Sequence, residues 1–226
     1  MKENDIIKNM FVNTYVKNIW GSNESRSGVG STLPYTENFR KYLVETINNN
    51  EIKEIFDCSS GDWNWMKEIY KELPDTVNYI GNDIVPQLIE SNNQKYGSDR
   101  FKFVCNDMLT QLKTYSDKSI DLVLCRHTLE HLPLQYCIGV VTEIKRVSKR
   151  AIITSSNNEY NISNTELDVN GHNSRQINLD MSPFVDILGV YNKNFVDTTI
   201  IKSEPIQRNG CWGYYYCFID NNRNQK

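Results

Sequence analysis

A short apolar run ends in an acid and turns through small residues at Glu54-Ile55-Phe56-Asp57-Cys58-Ser59-Ser60-Gly61-Asp62-Trp63. A second apolar run, Tyr79-Ile80-Gly81-Asn82-Asp83, follows it and also ends in an acid. A strand, a turn of small residues, a helix and a second strand make a βαβ unit, in which small residues let the backbone approach a ligand. The two strand ends predict a nucleoside site, with Asp83 on the ribose hydroxyls. Two carboxylates at adjacent strand ends also suit a ligand that carries a cationic amino-acid part.

Outward from this unit, strand-like and helical patterns alternate. Apolar, β-prone runs predict strands at 53–57, 77–82, 101–105, 120–125 and 150–155, and helical spacing lies near 62–73, 84–96, 128–131 and 135–147. This alternation indicates an α/β fold whose mostly parallel sheet is covered on both faces. The last two β-rich runs, 194–205 and 211–219, flank Arg208-Asn209-Gly210, and an Asn-Gly step there predicts an antiparallel hairpin. We therefore expect a sheet of about seven strands.

Helical spacing also covers residues 5–20, and a Gly/Ser-rich loop runs from Trp20 to Thr32. We expect two regions: an N-terminal helix and loop at 1–33, and the main domain at 34–226. The loop is interpreted as a lid over the cofactor or acceptor, in which Glu24, Ser25, Arg26 and Ser31 supply polar contacts. The alternative is a solvated linker.

A second irregular stretch, 157–190, is polar and contains Pro183-Phe184. Long loops in such folds often carry specificity. Arg175 and Asn178 are therefore candidate acceptor contacts, with an ordinary surface loop as the alternative.

The composition narrows the function classes. The chain has 226 residues, a net charge of −3 and six cysteines without a Cys-x-x-Cys pair. A weakly acidic chain gives no basic field for nucleic acid, and the cysteine spacing favours neither a metal site nor a disulfide framework. The N-terminus lacks an apolar signal core, and no apolar span reaches the length of a membrane helix. We expect a cytoplasmic protein whose partner is a small molecule rather than nucleic acid or a membrane.

Two further strand ends carry polar residues. Asn106-Asp107-Met108 follows the third predicted strand and could flank an adenine ring, or could simply form an Asx turn. After the fourth, Arg126-His127 precedes Glu130-His131, and a helix there would place His127 and His131 on one face. Either histidine could deprotonate a hydroxyl, and either could merely pack.

These motifs resemble, in order and spacing, those of class I S-adenosylmethionine-dependent methyltransferases. The likeness rests on the Asp57–Asp62 turn, Asp83, Asn106-Asp107 and the stretch 121–132, and covers roughly residues 35–155. A narrower likeness, carried by 20–31, 61–66, 175–179 and Pro183-Phe184, is to a microbial and viral subgroup associated with glycan biosynthesis. The class I resemblance implies a Rossmann-like methyltransferase fold with S-adenosyl-L-methionine as cofactor.

The resemblance also implies roles for individual residues. Asp57, Ser59 and Gly61 would line the methionine moiety, Asp83 would bind the ribose, and the adenine and methyl-transfer positions would fall to Asp107, Met108, Arg126 and His127. The acceptor would be a sugar or another small hydroxylated molecule, with His127 or His131 as base. Ser59 and Trp63 stand where the family usually has glycine, and the tryptophan is expected to alter the pocket wall.

Two hypotheses from other functional classes remain as alternatives. A nicotinamide-dependent sugar oxidoreductase or epimerase shares the alternating pattern, but it would usually carry Gly-x-Gly-x-x-Gly near its start, which this chain lacks. A non-catalytic nucleoside-binding protein would be consistent with Ser59 and Trp63. Binding of S-adenosylhomocysteine against NAD separates the first alternative, and turnover over an acceptor panel separates the second.

Overall fold

The structure is a computed structural model that describes residues 3–157, 163–167, 174–179, 181–188, 199–202 and 213–220. The chain divides into two compact units, Met1–Met108 and Leu109–Lys226. The boundary at 33 and 34 expected from the sequence is a different division, one that separates the N-terminal helix and loop by role.

The first unit holds three parallel strands and four helices. The strands are β1 (Glu54–Asp57), β2 (Asn78–Asp83) and β3 (Phe101–Cys105), in the order β3-β2-β1. The helices are α1 (Glu3–Lys17), α2 (Leu33–Asn49), α3 (Met66–Ile69) and α4 (Pro86–Tyr96). In the register of β1 and β2, Asp57 lies opposite Gly81, two residues before Asp83. The carboxyl ends of the strands therefore bring both acids to one edge.

The second unit continues the alternation. Its strands are β4 (Ile120–Arg126), β5 (Ser148–Asn157), β6 (Thr199–Lys202) and β7 (Gly213–Asp220), in the order β4-β5-β7-β6. Its helices are α6 (Leu134–Val147) and α7 (Phe184–Leu188), and α5 (Met108–Leu112) begins at the last residue of the first unit. Strands β4 and β5 are parallel, β7 is antiparallel to β5, and β6 is antiparallel to β7. The mostly parallel α/β architecture is confirmed. The antiparallel C-terminal pair is present, whereas Arg208-Asn209-Gly210 lies outside the described residues.

Amphipathic periodicity explains the covering helices. Helix α6 buries one stripe, formed by Tyr136, Cys137, Val140, Val141, Ile144 and Val147. Residues three and four apart lie on one face of a helix, so this spacing turns the apolar stripe to the core. Pro86 stands in the first turn of α4, where its missing N–H costs nothing.

Two predicted helices differ from the structure. The helix expected over 62–73 is only the four residues of α3, followed by a 3₁₀ turn at Tyr70–Glu72. Gly61 and Trp63 before it have φ of +55° and +58°, backbone values that no right-handed helix contains. The helix expected over 128–131 is a 3₁₀ turn, Leu129–His131.

Trp63 lies in the core and not in the pocket wall, where the sequence analysis expected it. Its side chain is 1% exposed and lies in an aromatic cluster with Tyr70, Tyr79, Tyr96, Phe101 and Phe103, at centroid distances of 4.7–5.9 Å. The left-handed backbone at Trp63 accompanies this inward direction. The residue therefore belongs to the core of the first unit.

Candidate functional site

Asp57 ends β1 as a buried carboxylate with defined partners. Its side chain is 2% exposed. The hydroxyl of Tyr79 donates to Oδ2 at 2.8 Å, and the backbone N–H of Ser59 donates to Oδ1 at 3.2 Å. These bonds fix the carboxylate where the chain turns towards Gly61.

Asp83 ends the neighbouring strand and is held in the same way. The N–H of Gly61 donates to Oδ2 and that of Val85 to Oδ1, each at 3.0 Å. Burial raises the pKa of Asp83 to about 6, although both N–H donors oppose the rise. The carboxylate is thus oriented, ionised at neutral pH, and close to taking up a proton.

Two asparagines that the sequence analysis did not single out brace this edge. Asn82 is 1% exposed, and its Nδ2 donates to the carbonyl oxygens of Cys58 and Asn106 at 3.1 Å. Asn92 on α4 donates through Nδ2 to the carbonyl of Gly61 at 2.8 Å. The sequence does contain a signal for Asn82, which is an amide inside an apolar strand. A buried amide needs hydrogen-bond partners, so this position could have been predicted to hold neighbouring segments together.

The segment after β3 is fixed through Asn106, whose side-chain bond reaches the next residue and not, as in an Asx turn, the residue two positions on. Oδ1 of Asn106 accepts from the N–H of Asp107 at 2.9 Å, and the N–H of Asn106 donates to the carbonyl of Asp83 at 3.1 Å. Met108 opens α5 and is 9% exposed. Asp107 and Met108 therefore follow directly from the strand end that carries Asp83.

The Gly/Ser-rich loop docks onto the turn after β1. Oδ1 of Asp62 accepts from the hydroxyls of Ser25 (3.0 Å) and Ser27 (3.1 Å), and Oδ2 accepts from the N–H of Arg26 at 2.7 Å. Oε1 of Glu24 accepts from the N–H of Leu33 and from Nδ2 of Asn64, both at 2.7 Å. The interpretation as a solvated linker is therefore wrong for this part of the loop.

In the second unit, β4 delivers Arg126 and His127 to its carboxyl end. Arg126 is 9% exposed. His127 has a φ of +48°, and its N–H donates to the carbonyl and the hydroxyl of Thr154 on β5 at 3.3 and 3.2 Å. Nδ1 of His127 lies 2.8 Å from Oε1 of Glu130.

The electrostatics of this pair favour one protonation pattern. Burial lowers the pKa of His127, against the opposing effect of Glu130. Burial would raise the pKa of Glu130, but the adjacent His127 brings it below its usual value. At neutral pH the pair is therefore a neutral imidazole whose Nδ1–H donates to a carboxylate, and this tautomer puts the basic lone pair on Nε2.

His131 occupies a different position. Its N–H donates to the carbonyl of Thr128 at 3.0 Å within the 3₁₀ turn. Because the segment is not an α-helix, the expected helical face shared by the two histidines is wrong. Glu130, rather than His131, is the described partner of the His127 ring.

Arg175 and Asn178 tie the irregular segment to the second unit. The N–H of Arg175 donates to the carbonyl of Glu130 at 2.9 Å, and its Nη1 donates to the carbonyl of Leu132 at 2.5 Å. Asn178 is 5% exposed and exchanges two 2.8 Å hydrogen bonds with the side chain of Asn164. The segment is held against the turn that carries Glu130.

Neither a metal cluster nor a membrane-spanning helix is present among the residues that the structure describes. In that part of the chain, no group of three or more His, Cys, Asp or Glu side chains is placed to hold a metal ion. No described helix combines the length and the apolar character that crossing a membrane requires.

Residues 57–151 match the family described as methyltransferase domain. None of the curated protein sequences matches this chain. Among solved structures, the chain is similar to magnesium protoporphyrin IX methyltransferase from Synechocystis PCC 6803 with S-adenosylmethionine bound, at 15% identity and a TM-score of 0.62 over 97% of both chains. The same protein with S-adenosylhomocysteine bound gives 14% and 0.61, over 96% of this chain and 99% of that one.

A third similar structure is the methyltransferase domain of bacterial CtHen1, at 13% identity and a TM-score of 0.58, over 82% of this chain and 98% of that one. At these identities the structures show the fold, which is the Rossmann-like methyltransferase fold. Together with the family match they support a methyltransferase and S-adenosyl-L-methionine as its cofactor.

Proposed function

We propose that this protein transfers the methyl group of S-adenosyl-L-methionine to a hydroxyl oxygen of a small-molecule or glycan acceptor. The observation that carries the proposal is the pair of oriented carboxylates at the ends of β1 and β2. The His127–Glu130 pair adds the reason for choosing an oxygen acceptor.

The first unit has donors and acceptors that fit the cofactor. A carboxylate offers about four lone-pair sites. The backbone N–H groups of Gly61, Ile84 and Val85 bond to the carboxylate of Asp83, which leaves capacity for a ribose hydroxyl. Asp57 would attract the amino group of the methionine part, while Ser59 and Gly61 leave the backbone of the turn approachable.

The remaining cofactor positions follow from the family resemblance. Asp107 and Met108 would flank the adenine ring, and Arg126 would border the reacting methyl group. When bound, the cofactor supplies an electrophilic methyl group on a sulfonium, which is displaced in line. The enzyme's share is largely alignment of the reactants, an effect worth up to about 7–11 kcal/mol in well-oriented reactions.

The base that the proposal requires is His127. A hydroxyl must lose its proton as its oxygen bonds to carbon, and Nε2 of His127 would take that proton. Glu130 accepts from Nδ1 and stabilises the imidazolium that forms, the arrangement that orients catalytic histidines in general. A base within hydrogen-bond reach of the reacting hydroxyl contributes about 10²–10⁴-fold to the rate.

Of the four candidate acceptor contacts, we propose Arg26 as the direct one. The residue is exposed, its backbone N–H is fixed by Asp62, and its guanidinium makes a long 3.5 Å bond from Nη1 to the carbonyl oxygen of Tyr15. The described hydrogen bonds of Glu24, Arg175 and Asn178 run to neighbouring protein groups, so we assign these three residues to holding the loops in place.

Calorimetric titration with S-adenosylhomocysteine and with NAD tests the cofactor assignment. We expect binding of S-adenosylhomocysteine alone, and loss of that binding in Asp83→Ala. Glu37→Gln, an exposed change on α2 that breaks only a surface pair with Lys41, is the matched control. Near-normal affinity in Asp83→Ala, or binding of NAD alone, would refute the assignment.

The acceptor class needs a separate measurement. Purified protein with labelled S-adenosylmethionine would be assayed over sugars, phenols, carboxylic acids and amines. Methylation confined to hydroxyl groups supports the proposal. Methylation of amines or carboxylates would contradict it and leave the cofactor assignment standing.

A further inference from the structure

We infer that docking of the segment Glu24–Ser31, here called the latch, onto Asp62 sets the affinity for the cofactor. Ser27 couples this docking to the orientation of Asp83. This inference rests on the proposed function, because the ligand is S-adenosylmethionine. It extends that function by assigning Asp62, Ser25 and Ser27 as positioning residues, although none of them is proposed to touch the reacting atoms.

The contacts of Ser27 and Asp62 are reciprocal. The Ser27 hydroxyl donates to Oδ1 of Asp62 and accepts from the N–H of Asp62 at 2.9 Å. Ser25, 1% exposed, adds a second hydroxyl to the same Oδ1. Hydrogen bonds to an ionised group are about twice as strong as neutral ones, so Asp62 holds this short loop firmly in place.

Gly61 links the latch to the ligand site. A side chain at Gly61 would collide with the Ser27 hydroxyl, so the absence of a Cβ is what lets the loop pack here. The N–H of Gly61 donates to Oδ2 of Asp83, and its carbonyl accepts from Asn92. Gly61, the neighbour of Asp62, therefore supplies one of the backbone N–H groups that orient the proposed ribose acceptor.

Glu24 and Asn64 hold the other end of the segment. Nδ2 of Asn64 donates to Oε1 of Glu24 and, at 3.1 Å, to the carbonyl of Ser31. The N–H of Leu33, at the start of α2, shares the Glu24 oxygen. Both ends of the segment are thus bonded to Asn64, and residues 25–27 between them are bonded to Asp62.

The pKa of Asp83 gives a readout specific to this coupling. The Gly61 N–H lowers that pKa, so a loosened turn should let it rise further. The titratable groups that face Asp83 are Asp62 after β1, Tyr79 on β2 and Cys105 at the end of β3. Replacing the serines removes no titratable group, although it takes two hydrogen-bond donors from Asp62.

The test compares wild type, Ser25→Ala/Ser27→Ala and the control Glu37→Gln. Affinity for S-adenosylhomocysteine is measured from pH 5 to 8, and tryptic cleavage after the exposed Arg26 is followed by mass spectrometry without cofactor. We expect the double variant to bind at least about tenfold more weakly, with its pH midpoint shifted upwards, and to be cut faster after Arg26. Ser27→Ala alone should show the same changes to a smaller extent. The single variant therefore still tests the inference if the double variant folds poorly.

The possible failures are distinguishable. Faster cleavage with unchanged affinity and midpoint would show a loop uncoupled from the site and overturn the inference alone. Unchanged cleavage would also overturn it, because no latch would then exist. Wild-type protein that binds no S-adenosylhomocysteine would overturn the proposed function, and the inference with it.

Discussion

The hydroxyl of Tyr79 donates a 2.8 Å hydrogen bond to Oδ2 of Asp57, so a fully buried phenol on β2 supports the acid at the end of β1. Burial first, and then the charge of Asp57, raise the pKa of Tyr79 well above its ordinary value. The phenol is therefore a donor at every pH at which the protein is expected to work.

Tyr79→Phe should destabilise the protein by about 1–3 kcal/mol, since it removes the donor and leaves a buried carboxylate oxygen short of a partner. Urea unfolding measures this change. Tyr70→Phe is the matched control, because the Tyr70 ring packs on the same Trp63. Equal losses in the two variants would mean that the bond to Asp57 contributes little.

Gly61→Ala should cost at least about 1–2 kcal/mol from the left-handed backbone alone, with the collision against Ser27 in addition. Thermal and urea unfolding check this prediction. Gly30→Ala is the control, since a Cβ there meets nothing within 4 Å. Adding Ser27→Gly to Gly61→Ala should restore part of the loss, and no restoration would argue against the contact.

Binding of S-adenosylhomocysteine should weaken as the pH falls through about 6. The pKa of Asp83 in the unliganded protein is about 6, and a ribose diol is held better by the carboxylate than by the acid. Well below this pKa, affinity should fall up to about tenfold for each pH unit. Calorimetry between pH 4.5 and 8 tests the point, and a flat profile would remove Asp83 from the site.

The raised pKa of Asp83 affects the stability of the unliganded protein in the opposite direction, favouring the folded state at low pH. Because the folded pKa of Asp83 lies above the model-compound value of 3.8, the folded state keeps a proton that the unfolded chain has released. The contribution of Asp83 to stability is therefore lost as the pH rises from about 4 to about 6. Asp83 is ionised at neutral pH at some cost to the fold, which is the usual compromise at a binding site.

His127→Asn should lower turnover by about 10²–10⁴-fold and leave affinity for S-adenosylhomocysteine nearly unchanged. Because burial lowers the pKa of His127, the acid limb of the pH–rate profile should fall below 6.5. Glu130→Gln should move that limb lower still, since Glu130 raises the pKa of the imidazole. His131→Asn is the matched control, and a larger loss there would transfer the role of base to His131.

Much of the fold could be predicted because periodicity reports burial. The expected strand 101–105 agrees with β3, and the expected helix 135–147 differs from α6 by one residue. The helix over 62–73 failed for a local reason. Two residues with positive φ, Gly61 and Trp63, interrupt the pattern, and a tryptophan gives no sequence signal for that backbone.

For the candidate site, the sequence located strand ends but not the contacts between segments distant in the chain. Asp57 and Asp83 could be paired because parallel strands end at one edge. The bonds from Asn92 to Gly61 and from Ser25 to Asp62 join separate elements, so no short pattern contains them. No sequence pattern pairs Glu130 with His127, since their bond accompanies the left-handed backbone at the histidine.

The amide of Arg26, bonded to Oδ2 of Asp62 at 2.7 Å, joins positions far apart along the chain. Because closing a loop of this length costs entropy, we expect the contact to form after the local structure of helix α2. Its hydrogen should exchange with solvent through a partial opening that leaves the strands intact. The exchange rate of this one proton would then report how often the segment detaches while the rest of the first unit remains folded.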